Sequence, residues 1–197
     1  MVLDQLLQFD RVLFDFVNQS MAHPVLDVIL PIMRHKETWI PVYLACILWI
    51  IYCNRSRAWI PLLAIGLTMT VSDTLSSKLI KKSVKRSRPC HIVEEHPQTI
   101  VRVRCGGGYS FTSSHATNHF TLAWLLPVLL GFRQRWFKWL CLFWAGLISI
   151  SQVYVGVHYP IDIFCGALLG SLLGLGVLRI YSKYGLTRLN RAVVVKA

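Results

Sequence analysis

The chain has 197 residues and a formal net charge of +12, yet only 15% of its residues are charged, against roughly 25% in a typical soluble domain. Its mean hydropathy is +0.50. One domain suits the length. Long apolar runs argue against a soluble fold and against nucleic acid as the main partner, so the basic balance points to an acidic membrane surface or an anionic substrate.

Residues 3–21 come first. Leu3, Leu6, Leu7, Val12, Leu13, Phe16 and Val17 recur at helical spacing, with Asp4, Asp10, Arg11 and Asp15 between them. This pattern predicts an interfacial amphipathic helix rather than a span. The start is acidic, without a basic n-region, and is not read as a signal peptide. Residues 24–33 form a short apolar piece, either a turn lying on the membrane or the start of the first span.

A membrane-spanning helix needs about 20 largely apolar residues. Residues 39–53 predict a first span, 59–80 a second, 115–132 a third, 136–155 a fourth and 161–181 a fifth. Trp39, Trp59, Trp136 and Tyr181 stand near the ends, where interfacial aromatics collect. The expected fold is all-α: a polytopic helical bundle of five or six spans forming a single domain, with interfacial helices over residues 1–34. Arg55 and Arg57, the turn with Arg133, Arg135 and Lys138, and the tail with Arg179, Lys183, Arg188, Arg191 and Lys196 then share one side. The positive-inside rule makes that side cytoplasmic. The loop 83–114 and the turn at His158 face the other way. A loop of this length in a compact chain is expected to be functional.

Six cysteines occur, none in a CxxC pair, so no zinc knuckle is indicated. Four lie in apolar runs, where a cysteine acts as a small hydrophobe. Cys90 and Cys105 lie in the long loop, and an extracytoplasmic loop would permit them a disulfide.

Three polar clusters interrupt the apolar chain, all on the same expected face. The first runs from Lys81 to Pro89. If the second span continues as a helix, Lys81 and Arg88 lie two turns apart on one face and can hold a phosphate. Alone, the run reads more readily as juxtamembrane charge meeting anionic headgroups. The second cluster, Tyr109 to Phe120, follows three glycines. Thr112, Ser113 or Ser114 can cap the next helix, whose free N–H groups bind anions. His115 stands at that helix start, and His119 one turn on reads as a packing residue; an ordinary cap is the alternative. The third cluster runs from Ser151 to Asp162. If that stretch is helical, the Asp162 carboxylate hydrogen-bonds His158, fixes its tautomer and frees the other nitrogen as a nucleophile. The alternative is an Asp162 that only caps the last span. An ionisable pair flanking a span is a functional hypothesis by default.

In order and spacing these clusters resemble the type-2 phosphatidic acid phosphatase superfamily, which includes bacterial lipid phosphatases and vanadium haloperoxidases. Its pattern is K-x6-R-P, then P-S-G-H, then S-R-x5-H-x3-D. The chain carries Lys81, Arg88 and Pro89; then Thr112, Ser113, Ser114 and His115; then Ser151, Gln152, His158 and Asp162. Proline and glycine are missing from the second motif, and Gln152 stands where the third has arginine.

The resemblance implies a phosphohistidine mechanism. His158 attacks phosphorus, Asp162 supports it, and His115 protonates the leaving oxygen and then activates water. Lys81, Arg88, Ser113, the backbone at Ser114, and Gln152 through hydrogen bonding hold the phosphate oxygens. No metal or cofactor is implied. Gln152 removes a full charge from the phosphate site. It is a natural variant, a weakened site, or a loss compensated by another cation, with Arg86, Arg102 and Arg104 as candidates.

The expected activity is hydrolysis of a lipid phosphate or diphosphate at the outer face of a bacterial inner membrane. The substrate and the surrounding lipids are the partners. Undecaprenyl diphosphate is favoured, lipid A comes second, and phosphatidylglycerol phosphate and phosphatidate are further candidates. Two other classes compete: a metal-dependent hydrolase using His115, His119, His158 and Asp162, and a non-catalytic phospholipid-binding or transport protein.

Overall fold

A computed structural model describes residues 2–132 and 134–184, whose regular elements are all helices, with no strand among the described residues. Arg133, Arg188, Arg191 and Lys196 lie outside the described residues.

Helix α1 (Val2–Asp15) passes through a wide turn at Phe16–Ser20 to α2 (Pro24–Arg34). His35 is extended and ends α2 before the first span, so the 24–33 piece forms a helix of its own. Helix α3 is Ile40–Asn54, and α4 (Trp59–Asp73) runs through a widened stretch, Thr74–Ile80, into the short α5 (Lys81–Val84). After a long loop come α6 (Ser114–Leu129), α7 (Arg135–Tyr154) and α8 (Pro160–Lys183).

Four helical stretches are long and apolar enough to cross a membrane: Lys36–Arg57, Trp59–Val84, Arg135–Tyr154 and Pro160–Lys183. The helix expected at 115–132 is present as α6, but at 16 residues it is about 24 Å long, shorter than a bilayer core. It is also the innermost element, with Ala116, Ala123 and Leu125 fully buried. The spans around it turn Leu48, Leu67, Phe143, Phe164 and Leu172 outward, as a lipid solvent requires.

Close packing of α6 on α8 sets the bundle's geometry. Gly166, Gly170 and Gly174 recur every fourth residue on one face of α8. A Cβ at Gly166 would meet the Ser113 carbonyl at 2.6 Å, one at Gly170 would collide with the Thr117 carbonyl, and one at Gly174 would meet Thr121 O at 3.0 Å. Such small-residue stripes let two backbones touch. At the top of this contact the Ser113 N–H donates to the Asp162 carbonyl at 3.1 Å, tying the start of α6 to the first turn of α8.

Helix α1 is inverted relative to a soluble amphipathic helix. Leu3, Leu6, Phe9, Val12 and Phe16 point outward, while Asp10 and Phe14 are fully buried against the bundle. The long loop is pinned at several points. Buried Asn18 pairs with both backbone groups of Ile100 at 2.8 Å. Arg102 donates to Asp27 at 2.5 Å and to the Tyr154 carbonyl at 2.7 Å. A Cys90–Cys105 disulfide closes the stretch between them, with Cα atoms 5.9 Å apart.

Candidate active site

Lys81, Ser114, Gln152 and His158 come together at one end of the bundle, on a cavity of about 530 Å³. Arg34, Arg88 and His115 share its wall. The lining contains five Lys or Arg side chains and no carboxylate, so the cavity is built for an anion.

His158 and Asp162 meet by a route other than the expected helical register. His158 precedes α8, Tyr159 is its extended N-cap and Asp162 is the third helical residue. Asp162 Oδ2 accepts from the Tyr159 N–H at 2.9 Å and lies 3.4 Å from His158 Nδ1. The cap that starts the helix thus also delivers the carboxylate to the imidazole. Ser110 donates to the same oxygen and lies 3.5 Å from His158 Nδ1. With Nδ1 engaged, Nε2 is the ring nitrogen left for the cavity. Burial pushes His158 down to about 4, although the Asp162 contact works the other way, so its imidazole is neutral near pH 7.

Asp162 itself is buried behind His158. Its Oδ1 accepts from Arg86 Nη1 at 2.8 Å, while Arg86 Nη2 donates to Asp10 at 2.6 Å. Arg86 also lies over the Tyr159 ring at 3.9 Å. Burial works against its charge, but the two carboxylates hold it above the ordinary arginine value.

Lys81 and Arg88 do not share a helical face. Lys85 adopts a left-handed conformation with φ 54°, closes α5 and releases the chain. Arg88 returns through extended backbone and donates to the Gly108 carbonyl at 3.2 Å, while Lys81 Nζ donates to the Tyr109 carbonyl at 3.0 Å. Both therefore grip the glycine loop from the cavity side.

The two serines of the second motif divide. Ser113 is fully buried as the N-cap of α6, its hydroxyl accepting from Ala116 N at 3.4 Å, and it does not line the cavity. Ser114 does, with its hydroxyl 2.7 Å from that of Ser77. Ser114 and His115 occupy the first two helical positions, where a helix supplies no acceptor for their N–H groups. His119 packs as expected: Nδ1 is 2.8 Å from the His115 carbonyl, Nε2 is 3.1 Å from the Tyr43 hydroxyl, and the ring stands edge-on to Trp144. A metal shared by His115 and His119 would have to displace one of those partners.

Of the cations weighed for Gln152, Arg86 and Arg102 are committed to carboxylates and carbonyls away from the cavity, while Arg104 lines it. The cation against Gln152 is Arg34, whose Nε donates to Gln152 Oε1 at 3.3 Å. Arg34, Asp10 and Ser110 escaped the reading of the sequence. The available signal was Asp27, Leu30 and Arg34 on one face of a short helix.

The PAP2 superfamily model matches residues 57–185. The chain is 35% identical over 179 residues to a lipid A 4'-phosphatase of Bacteroides thetaiotaomicron, covering 88% of this chain and 77% of that protein. It is 30% identical to the lipid A 4'-phosphatase of Porphyromonas gingivalis, covering 91% and 75%. An undecaprenyl-diphosphatase of Sulfolobus acidocaldarius is also 30% identical, over 85% and 76%. In fold, the chain matches the crystal structure of a transmembrane PAP2-type phosphatidylglycerolphosphate phosphatase from Bacillus subtilis. The TM-score is 0.68 at 21% identity, with 91% and 87% covered.

Proposed function

This chain belongs to the PAP2 superfamily and is a membrane lipid phosphatase, and from that premise we propose that it removes a phosphate from a phosphorylated glycolipid of the lipid A type through a phosphohistidine on His158. The observation that carries the chemistry is the placement of His158, held at Nδ1 by Asp162 and facing a cavity lined with cations and no carboxylate. His158 Nε2 attacks phosphorus, the bond from phosphorus to the lipid oxygen breaks, and His115, which takes up a proton as the negative phosphate enters the cavity, gives it to that oxygen. Water then attacks the phosphohistidine, passing its proton to His115, and inorganic phosphate leaves. Lys81, Arg88, the Ser114 hydroxyl and the first N–H groups of α6 hold the nonbridging oxygens through both steps.

The lipid A relatives at 35% and 30% identity support the glycolipid substrate over undecaprenyl diphosphate, which the sequence alone favoured. The Sulfolobus relative keeps undecaprenyl diphosphate as the second reading. The membrane is the inner one, with the site facing outward. Two features support this placement: the disulfide lies at the site end, and Arg55, Arg57, Arg135 and Lys138 lie at the other.

The deciding assay is phosphate release by purified protein in detergent, with chelator, from lipid A, undecaprenyl diphosphate, phosphatidylglycerol phosphate and phosphatidate. Release from lipid A above the others is expected. Preference for undecaprenyl diphosphate would establish the second reading, and lipid binding with no turnover would overturn the enzyme.

A further inference from the structure

Helix α2 lies upstream of the stretch that matches the family, yet it delivers a charge into the cavity. Asp27, Leu30 and Arg34 share one face of this helix. Asp27 accepts from the Tyr154 hydroxyl at 2.6 Å and from Arg102 at 2.5 Å. Leu30 is buried against Tyr154, Val155 and Val157. Arg34, two turns beyond Asp27, reaches Gln152, two residues before Tyr154. The helix is thus fixed along the site end of α7 at three successive points, and Arg34 projects from the last.

Gln152 is fully buried, and its Nε2 has no hydrogen-bond partner among the described residues. Its Oε1 takes the Nε proton of Arg34. The two Nη groups of Arg34 have no acceptor among the described residues. Burial and the nearby Arg88 charge hold its guanidinium below the ordinary value, and no carboxylate lines the cavity. A buried amide N–H and a half-buried guanidinium fork, neither with a protein acceptor among the described residues and both on one cation-rich wall, call for an anion with several acceptors.

We propose that Arg34 is a phosphate-binding residue of this site, presenting its Nη groups to the nonbridging oxygens while Gln152 orients it through Nε and offers its own Nε2 to the same phosphate. The charge absent at position 152 is supplied from another helix. The arrangement divides one arginine's work between two side chains: Arg34 brings charge and the planar fork, Gln152 brings register. This rests on the reading of the cavity as a phosphate site.

Inorganic phosphate is the probe, measured both as direct binding to the detergent-solubilised protein and as product inhibition of lipid phosphate hydrolysis. Arg34→Ala is expected to weaken phosphate roughly tenfold to a hundredfold, the range of a lost charged hydrogen bond, with KM raised in step. Arg34→Lys, which keeps charge without the fork, falls between. Arg34→Ala combined with Gln152→Arg, which moves the cation to position 152, recovers phosphate affinity that Arg34→Ala lost. Unchanged phosphate affinity in Arg34→Ala, with the wild type active, overturns the role of Arg34. Should Arg34→Ala not fold, Arg34→Lys and the double variant decide: phosphate affinity equal to wild type in Arg34→Lys, or no binding by a folded double variant, overturns it equally. A wild type that neither binds phosphate nor turns over any lipid defeats the phosphatase reading instead.

Discussion

Asp10 on the first helix and Asp162 on the last hold opposite ends of one guanidinium: Arg86 donates to them at 2.6 and 2.8 Å. Asp10 is fully buried and also accepts from the Ile161 N–H at 2.8 Å. It touches neither His158 nor the cavity wall. Its influence on chemistry runs through Arg86 to the carboxylate that orients the imidazole.

Asp10→Asn therefore lowers kcat more than it raises KM, because Arg86 loses one anchor and Asp162 its fixed partner. Stability falls by about 1–3 kcal/mol, the cost of disturbing a buried charged hydrogen bond. Steady-state kinetics with a thermal melt check this. A stability loss with kcat unchanged would make Asp10 a packing anchor only.

The acid limb of kcat/KM belongs to His158, which burial holds at about 4. On the proposed mechanism a neutral imidazole is the nucleophile, so activity is expected to persist well below pH 6 and to fail as pH drops through about 4. The folded value lies below the ordinary imidazole value, so the unfolded chain binds the proton first. Stability is then complete above about 6.5 and declines as pH falls towards 4. A pH–rate profile with melts at each pH reads both. An acid limb centred near 6.5 would mean that the titrating histidine is not the buried one.

Removing the Cys90–Cys105 bridge loosens the loop that carries Arg88 and the glycines it grips. The bridge spans 15 residues of sequence, worth about 3 kcal/mol by chain-entropy reckoning. Cys90→Ser with Cys105→Ser is expected to lower the melting temperature and raise KM, and reductant to do the same to the wild type. Identical kinetics with and without reductant would show that the loop is held by its other anchors.

Gly170→Ala places a methyl group into the Thr117 backbone of α6. Overpacking of this kind costs about 1–3 kcal/mol. Because the same contact aligns Ser113 with Asp162, activity falls with stability. Gly176, which meets nothing within 4 Å, is the control: Gly176→Ala leaves both unchanged.

The residue types of the site were legible in order and spacing, but not the geometry joining them. Lys81 and Arg88 were expected to share a helical face, and the left-handed Lys85 breaks that face. The approach of His158 to Asp162 was expected from helical register and comes from a helix cap. In both cases the motif constrains which atoms meet, while the path between them is set by local turns. Arg34 was illegible for another reason: a single arginine ending an apolar stretch reads as surface charge, and only the docking of α2 on α7 turns it inward. Asp10 hid within an amphipathic pattern that does not itself say whether its polar side meets water or the bundle; here it meets the bundle. In lipid the bundle interior is the polar environment on offer.

Arg86 stands 76 residues from each of its two carboxylate partners. During synthesis the clamp can only be half made until α8 has entered the bilayer, and a guanidinium held by Asp10 alone has no grip on the imidazole's support. On the proposed mechanism, hydrolytic competence is thereby tied to completed insertion: a nascent chain already embedded in the bilayer would have no supported nucleophile until its last helix arrives.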